Sequence, residues 1–393
     1  MNQKPLSQNK VIPYGRQDIS QEDINEVVKI LNSDFLTQGP TVPRFEKEVS
    51  NYCGSKHAIA ANSGTSALHI AASALEIGKG DLVWTSPNTF VASANCILYC
   101  GAKVDFVDID KDTFNMCPKS LEKKLIEAKQ KKQLPKAIIP VHISGQPCDM
   151  KSIYKLSKEY GFRIIEDASH ALGAIYDGKK VGDNRYSDFT IFSFHPVKII
   201  TSGEGGMALT NDSELARKAR LFRSHGITSE KEEMDPRPSN EIWNYQQIEL
   251  GFNYRMTDIH AALGISQMKR LDQFVSKRRE LAKRYDNLLA NLPVAIPFQD
   301  NNSLSSYHLY ILKVGEALQK KVYRALIEEK IKVNLHYIPV YRQPYFSQMG
   351  FTPGYCKNAE ECFKSVISIP LYPGLSFLDQ DRVIESIIKN TTS

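Results

Sequence analysis

The sequence predicts an α/β fold, with a mostly parallel central sheet between helices and a smaller C-terminal α+β domain. From about residue 55, apolar strand-like segments alternate with helical segments, and glycine, proline or aspartate separates them. Repeated strand, helix, strand units produce parallel sheets covered on both faces. The 393 residues, 42% of them hydrophobic, are enough for two domains with a sizeable core.

Strand and helix signals follow one another through the first part of the chain. LVWTS (82–86) has the composition of a buried strand. Pro87 suits the first turn of a following helix, which Gly101 would end. KVDFVDID (103–110) and KAIIPVHISG (136–145) are the next two predicted strands.

The next helix has clear start and stop signals. Asp149 is placed to cap the helix MKSIYKLSKEY, and Gly161 is placed to end it. FRIIED (162–167) is a predicted strand. IFSFHPVK predicts another apolar strand that runs as far as Lys198, where a glycine-rich turn follows.

The pattern changes near residue 257. Helical periodicity continues from Thr257 to Leu292, just before Pro293, and predicts one long helix that leads into the smaller domain. In that domain, a helix over 316–330 would lie between strands over 307–314 and 332–340.

We therefore expect a large domain over residues 15–256 and a small C-terminal domain over residues 257–393. Residues 1–14 are expected to pack near the small domain. The polar segment 231–247 contains two prolines and is predicted to be a loop.

Composition disfavours several classes of protein. The net charge of +6 is mild, and the densest basic run, residues 129–136, has no interleaved aromatic residues, so a nucleic-acid-binding surface is not predicted. There is no apolar leader and no apolar run of about 18 residues, so we expect a cytoplasmic protein without membrane spans. Seven cysteines without a CxxC pair argue against disulfides and a zinc site.

Small residues from Asn62 to Ser66 open a helical segment. The first NH groups of a helix are unpaired, and glycine lets a ligand approach the backbone, so this segment could hold a phosphate. The alternative is an ordinary serine or threonine cap. The segment is neither GxGxxG nor GxxxxGK[ST], which disfavours dinucleotide and P-loop sites.

Two further segments carry chemistry. Glu166 and Asp167 end a predicted strand at the edge of the sheet where ligands bind. A carboxylate buried there needs a cation, a metal or a protonated ring nitrogen, although a solvated acidic loop is equally compatible with the pattern. His170 is either a loop histidine or a ligand contact. Lys198 has apolar neighbours, and desolvation would lower its pKa so that the free amine can attack a carbonyl.

Together these features match one cofactor. Pyridoxal phosphate requires a phosphate site, an acid beside its ring nitrogen and a lysine for its aldehyde. Each feature alone is ambiguous, and Ser193 adds a hydroxyl that could also bind the phosphate.

Over nearly its whole length the chain resembles the DegT group of sugar-nucleotide aminotransferases. The resemblance rests on motifs that occur in the order found in that group: NSGTSAL, PNTFVASANC, EDASHALGA, SFHPVKIITSGEGG and GFNYRMTDIHAALG. It implies an aspartate-aminotransferase-like fold of PLP fold type I, in which the large domain binds pyridoxal 5′-phosphate. Lys198 would form the Schiff base and move protons, while Asp167 would pair with the pyridine nitrogen.

The resemblance also assigns the remaining contacts of the cofactor. Gly64, Thr65 and Ser193 would hold the phosphate, Phe90 would lie against the ring and His170 would approach its hydroxyl. Asn253 would reach the phosphate of the neighbouring subunit, which implies a homodimer with shared active sites.

For the substrates, the resemblance implies L-glutamate as amino donor, with 2-oxoglutarate as its product, and a UDP-linked keto sugar as acceptor. Arg255 is a candidate for the donor carboxylate. The nucleotide sugar would contact Tyr14, Asp34, Phe35, Leu36, Thr37, His336, Tyr337, Ile338 and Pro339.

Within the group, the longest matching phrases resemble members that aminate C4 of a UDP-linked 4-keto-6-deoxy-N-acetylhexosamine in pseudaminic acid synthesis. Another nucleotide-linked keto sugar, of the bacillosamine or perosamine type, remains an alternative. A branch that removes a sugar hydroxyl has histidine in place of Lys198, so transamination is favoured. A catalytically silent sugar-nucleotide binder would lack the lysine or the acid, and a serine hydrolase on Ser193, His195 and Asp188 would need a GxSxG turn.

Overall fold

A computed structural model describes residues 10–236, 238, 240–241 and 244–392. In chain order its strands are β1 (His57–Ala61), β2 (Leu82–Thr85), β3 (Lys103–Phe106), β4 (Ala137–Ile139), β5 (Arg163–Asp167), β6 (Ile175–Tyr176), β7 (Lys179–Lys180), β8 (Phe189–Ser193), β9 (Gly206–Thr210), β10 (Ile227–Thr228), β11 (Gln246–Gln247), β12 (Ser303–Leu304), β13 (Tyr310–Lys313) and β14 (Val366–Ile369).

The α-helices are α1 (Gln21–Leu31), α2 (Thr41–Cys53), α3 (Gly64–Ala74), α4 (Ala92–Tyr99), α5 (Pro118–Gln130), α6 (Met150–Tyr160), α7 (Ser213–Arg223), α8 (Asp258–Met268), α9 (Leu271–Leu289), α10 (Glu316–Glu328), α11 (Pro344–Ser347), α12 (Lys357–Phe363) and α13 (Phe377–Thr391). Single 3₁₀ turns cover Ile143–Gly145, Lys231–Glu233 and Val340–Arg342.

The central sheet has seven strands in the order β1-β9-β8-β5-β4-β2-β3. The pairs among β8, β5, β4, β2 and β3 are parallel, whereas β9 is antiparallel to both β1 and β8. The predicted α/β fold with a mostly parallel sheet is therefore confirmed. The carboxyl ends of β4, β5 and β8 meet at one edge, where open α/β sheets bind ligands.

Local signals explain how the helices near this edge begin and end. The Ser63 side chain accepts a hydrogen bond from the Ser66 amide at 3.1 Å and caps α3. The predicted cap of α6 is confirmed, because Asp149 accepts from the Ser152 amide at 3.2 Å. Gly161 ends the same helix with a φ of 80°, a conformation that glycine adopts without strain.

Two predicted helix boundaries are wrong. Pro87 lies five residues before α4, because residues 86–91 form bends and a turn before the helix begins. The long helix over 257–292 is two helices, which break at Lys269–Arg270, where the amide hydrogen bonds shorten to i−3 partners. Apolar periodicity continues across this break, so the pattern does not reveal it.

Two predicted strands also differ from the structure. Residues 332–340 form no strand, since their amides bond to scattered partners such as Ile12 and Asn88 instead of one neighbouring ladder. The strand over 191–198 ends at Ser193, and Lys198 lies in the turn beyond it. The predicted loop 231–247 contains a 3₁₀ turn and the two-residue strand β11 among its described residues.

A second hydrophobic core lies under β13, β14 and helices α9, α10 and α13, apart from the core of the central sheet. Ile12 is fully buried in it. Residues 1–9 of the predicted 1–14 segment lie outside the described residues, and the domain boundary at 256/257 stays a prediction. Among the described residues, no helix combines the length and apolar character that crossing a membrane requires.

Candidate active site

A cavity of about 770 Å³ opens at the carboxyl edge of the central sheet. Val141 after β4, Asp167 at the end of β5 and Ser193 at the end of β8 all line it. Its volume suits a cofactor together with a small substrate group. Ten of the predicted site residues lie on its wall: Tyr14, Gly64, Thr65, Phe90, Asp167, His170, Ser193, Lys198, His336 and Tyr337.

The amino end of α3 forms one side of the cavity, where Ser63, Gly64 and Thr65 present a helix terminus. A Cβ atom on Gly64 would lie 3.0 Å from the Ser193 Cβ atom, so glycine permits the close approach of α3 to β8. A side chain at Gly206 would collide with the Ser63 carbonyl oxygen at 2.2 Å. The two glycines therefore hold a helix terminus and the Ser193 hydroxyl side by side, an arrangement that suits a phosphate.

Asp167 supplies the acid of the site and is only 5% exposed. The Ser93 hydroxyl of α4 donates a 2.6 Å hydrogen bond to its Oδ2 atom, and the Ser169 amide donates to Oδ1 at 3.1 Å. The carboxylate is thus oriented from both oxygens while its residue still borders the cavity. Such an acid can hold a protonated ring nitrogen.

Glu166 is directed away from Asp167, because successive side chains of a strand lie on opposite faces. It accepts from His142, whose Nε2 atom lies 2.8 Å from Oε2 of Glu166, and both residues are buried. Burial opposes protonation of His142, but its hydrogen-bond partners Cys148 and Glu166 outweigh this and raise its pKa. Only the second of the two adjacent acids lines the cavity.

Lys198 follows β8 in a turn that is closed by a hydrogen bond from its own amide to the His195 carbonyl oxygen. Its side chain is partly buried at the wall of the cavity. Burial lowers the pKa of the amine to about 8, although the charge of Asp167 acts in the opposite direction. About a tenth of the amine is therefore uncharged at pH 7, far more than for an ordinary lysine, and this fraction is available as a nucleophile.

Imidazole and phenol rings also line the cavity. The Tyr337 hydroxyl lies 3.4 Å from Nε2 of His170, and the His170 and His308 ring centroids are 4.2 Å apart. The Ser144 amide donates to Nδ1 of His170 at 3.3 Å. Burial, followed by the charge of Lys198, lowers the pKa of His170 well below its usual value and that of His336 to about 3. These imidazoles are neutral at physiological pH.

The arrangement fits pyridoxal phosphate. The helix terminus and Ser193 suit its phosphate, Asp167 suits the ring nitrogen, and the Lys198 amine suits the aldehyde. Phe90 is 59% exposed although it is a large apolar ring, and it borders the same cavity, so it can cover a planar group.

Several predicted site residues do not line this cavity within one chain: Asp34, Phe35, Leu36, Thr37, Asn253, Arg255, Ile338 and Pro339. Two neighbouring segments hold six of these residues, with Asp34 to Thr37 on one and Asn253 and Arg255 on the other. Thr37 forms a β-bridge with Thr257, and the Asp258 amide donates to the Leu36 carbonyl oxygen at 2.9 Å. Phe35, Leu36 and Asn253 are exposed there.

Sequence reasoning missed several residues of the cavity, among them Ser169, Glu204, His308 and Asn334. His308 carries no local motif and lies just before β13 in the smaller core region. Its neighbours Tyr307 and Leu309 are apolar and buried, so the sequence suggested a strand and gave no sign of a site residue.

A model of the DegT/DnrJ/EryC1/StrS aminotransferase family matches residues 17–388. The spore coat polysaccharide biosynthesis protein SpsC of Bacillus subtilis is 39% identical over 386 residues, covering 96% of this chain and 97% of SpsC. The UDP-4-amino-4,6-dideoxy-N-acetyl-beta-L-altrosamine transaminase of Campylobacter jejuni (strain 81-176) is 39% identical over 382 residues, covering 96% of each chain.

Solved structures agree with this relationship. Helicobacter pylori PseC, an aminotransferase involved in the biosynthesis of pseudoaminic acid, superposes with a TM-score of 0.88 and 32% identity, over 98% of this chain and 100% of PseC. The sugar aminotransferase Spr1654 of Streptococcus pneumoniae in its PLP form gives a TM-score of 0.88 and 29% identity, over 98% of this chain and 99% of Spr1654. The expected aspartate-aminotransferase-like architecture is confirmed.

Proposed function

The chain belongs to the DegT/DnrJ/EryC1/StrS aminotransferase family, and we propose that it moves an amino group from L-glutamate to C4 of a UDP-linked 4-keto-6-deoxy-N-acetylhexosamine. The product would be UDP-4-amino-4,6-dideoxy-N-acetyl-β-L-altrosamine, for pseudaminic acid synthesis in the cytoplasm. One observation carries the proposal: the Lys198 amine, the Asp167 carboxylate and the amino end of α3 border a single cavity. The identity to the Campylobacter jejuni transaminase supports the choice of sugar.

As a family member, the protein is a sugar aminotransferase that depends on pyridoxal phosphate. This cofactor supplies an aldehyde that takes up an amino group and a ring that withdraws electrons when its nitrogen is protonated. Asp167 would keep that nitrogen protonated, and Ser93 and Ser169 would hold the carboxylate in place.

Lys198 would have two roles. Its uncharged amine would hold the cofactor between turnovers, and on release it would carry a proton from the α-carbon of glutamate. The same amine would return a proton to C4 of the sugar in the second half of the reaction. A pKa of about 8 places Lys198 near the pH at which it can both accept and give up a proton.

We propose that the active enzyme is a homodimer with shared sites. Phe35 and Leu36 are 54% and 47% exposed, and Leu250 is 75% exposed on a following loop. A partner subunit that covers these side chains would remove their apolar surface from water. Asn253 and Arg255, which lie outside the cavity of their own chain, would then reach the cavity of the partner.

The sugar nucleotide would bind along one wall of the cavity. Tyr14, His336 and Tyr337 border the cavity there, and the ring centroids of Tyr14 and His336 are 5.7 Å apart. Ile338 and Pro339 continue from this wall out of the cavity, towards the place we propose for the nucleotide, and Ile338 is 44% exposed. Asp34 to Thr37 of the partner would close the same groove.

Another nucleotide-linked 4-keto sugar remains a candidate acceptor, because SpsC, at the same level of identity, is named for spore coat polysaccharide biosynthesis. A panel of UDP-, GDP- and dTDP-linked 4-keto sugars, each offered with glutamate, distinguishes this acceptor from the proposed one. We expect the UDP-linked 4-keto-6-deoxy-N-acetylhexosamine to have the highest kcat/KM. Amination of only a non-UDP sugar would contradict the proposed substrate but not the cofactor chemistry.

Borohydride reduction tests the lysine separately. Reduction of the cofactor-loaded protein should attach the cofactor covalently, as a label, to the peptide that contains Lys198. A Lys198→Ala variant should bind cofactor without being labelled at that peptide. A label on another lysine would contradict the assignment.

A further inference from the structure

Gln267, near the end of α8, is a buried glutamine whose side chain is hydrogen-bonded through both its nitrogen and its oxygen. It is 1% exposed. Its Nε2 atom donates to the Asp18 carbonyl oxygen and to Oδ2 of Asp23, both at 2.8 Å. Its Oε1 atom accepts from the Thr201 amide at 3.4 Å. Because both hydrogens of the side-chain amide are used, the direction of Oε1 towards Thr201 is fixed.

Thr201 belongs to the turn that carries Lys198. It is 3% exposed, and among the described residues Gln267 is the only hydrogen-bond partner of its amide. The Thr201 hydroxyl donates to the Phe194 carbonyl oxygen and accepts from the Gly203 amide, both at 2.9 Å. Buried amides are nearly always paired, because an unpaired one loses its bond to water without replacement. The bond from Gln267 therefore supports the turn although it is long.

The other end of Gln267 is attached to the N-terminal segment. Asp18 lies four residues after Tyr14, which borders the active-site cavity. Arg270, at the break between α8 and α9, donates to Oδ1 of Asp18 at 2.6 Å and to Oδ2 of Asp23 at 2.5 Å. Asp23 is fully buried. On this side Gln267 is thus anchored in a network of ion pairs.

The lysine turn and the N-terminal segment lie against each other. A Cβ atom on Gly15 would lie 3.9 Å from the Val197 Cβ atom. A void of about 10 Å³ is bordered by residues 16–18, by Lys198 and by Gln267, so the three segments meet behind the lysine. Among the described residues, no hydrogen bond joins residues 14–18 directly to residues 196–203. Gln267 supplies the polar link between them.

We propose that Gln267 is a positioning residue, which holds the Lys198 turn against the N-terminal segment and so sets the direction of the lysine side chain in the cavity. Gln267 does not itself line the active-site cavity, so it acts through the turn. The inference rests on the proposed function, because the position of the amine matters only if Lys198 is the reacting lysine.

Gln267→Met tests the proposal, because methionine fills a similar volume without hydrogen bonds and changes no charge. Gln267→Leu is a second variant with a different shape, and thermal unfolding shows which of the two keeps the fold. Gln380→Met is the matched control. Gln380 is also fully buried, and it donates to the Leu281 carbonyl oxygen at 2.8 Å in the region of the second core.

The readout is the pH dependence of Lys198 modification in the cofactor-free protein. Trinitrobenzenesulfonate reacts with uncharged amines, and peptide mapping follows the peptide that contains Lys198. The substitution leaves in place the titratable groups that interact with the amine, namely Asp167, His170, His308 and His336. A shift therefore reports a movement of the amine.

In wild type, burial places the pKa of the Lys198 amine at about 8. A loosened turn admits water to the amine, so the midpoint of modification in Gln267→Met should rise by about one pH unit towards 10.5. The kcat of the cofactor-loaded variant should fall about tenfold or more, because the amine is displaced from the reacting atoms. Gln380→Met should keep the wild-type midpoint and kcat.

An unchanged midpoint in a folded Gln267 variant would overturn the inference, as would an equal shift in Gln380→Met. The modification experiment needs neither cofactor nor substrate, so its result is separate from the test of the proposed function. Failure of that function has its own signature, a borohydride label on a lysine other than Lys198.

Discussion

The Ser93 hydroxyl donates a hydrogen bond of 2.6 Å to the Asp167 carboxylate, across 74 residues of sequence. Ser93 lies on α4 and Asp167 ends β5, so the bond fixes the acid against the helix that follows β2. Both residues are buried, 1% and 5% exposed. A short bond from a buried hydroxyl to a carboxylate is among the stronger hydrogen bonds in proteins.

Ser93→Ala should therefore weaken cofactor binding. One hydrogen bond to a charged group contributes about 1.5–3 kcal/mol, and the Ser169 amide remains as a second donor, so we expect roughly a tenfold rise in the Kd of pyridoxal phosphate. Fluorescence titration of the cofactor-free protein measures it. Ser93→Thr keeps the hydroxyl and serves as control; an unchanged Kd in Ser93→Ala would show that the bond does not orient the acid.

Asp167→Asn tests the role of the charge. The amide has the shape of the carboxylate but cannot hold a proton on a ring nitrogen, so kcat should fall by about 10²–10⁴ while the protein still folds and binds cofactor. Single-turnover kinetics with glutamate measure the loss. Glu166→Gln is the neighbouring control, because its side chain pairs with His142 outside the cavity and should leave the half-reaction rate much closer to wild type.

The lowered pKa of Lys198 predicts a pH-dependent stability of the cofactor-free protein. Below pH 8 the folded protein must hold a partly buried ammonium, which is a cost that the unfolded chain does not have. Between about 8 and the ordinary lysine value of 10.5 the unfolded chain binds more protons, so this cost disappears as the pH rises.

Lys198→Met removes this cost. We expect the variant to be more stable than wild type below pH 8, and the difference to shrink as the pH approaches 10.5. Urea unfolding of both cofactor-free proteins across this range checks the sign. A difference that is constant with pH would mean that the pKa of Lys198 is not lowered in the folded protein.

Shared active sites predict complementation between two inactive variants. Lys198→Ala lacks the amine of its own cavity, and Asn253→Ala lacks the group proposed to reach the partner's cavity. Heterodimers formed after mixing and subunit exchange would contain one intact site, so roughly a quarter of the wild-type activity should return. Mixing without subunit exchange is the control. No recovery after confirmed exchange would place both residues in the same site.

The sequence predicted the parts of the site that are local in the chain. Gly64, Asp167 and Lys198 follow from motifs whose chemistry is contained in a few residues, and the structure brings all three to one cavity. The parallel sheet followed from strand and helix periodicity. These predictions succeeded because each residue lies at or shortly after the carboxyl end of a strand, and these ends meet at one edge of the sheet.

The remainder depended on contacts between distant segments. Arg278 of α9 donates to the carbonyl oxygen of His308, and no local sequence pattern reveals this contact between distant segments. The break between α8 and α9 and the irregular course of residues 332–340 were hidden because apolar periodicity is the same in both alternatives. Strand composition alone does not choose between Glu166 and Asp167; the family resemblance named Asp167, and the structure separates the two acids by their opposite faces on β5.

The amide of Asn62, which borders the cavity, donates to the Tyr254 carbonyl oxygen at 2.8 Å, next to Asn253. In the proposed dimer, the loop that cradles a phosphate in one site is therefore tied to the loop that reaches into the other. A movement of Asn62 when one subunit binds cofactor would therefore be passed to a segment of its neighbour's site.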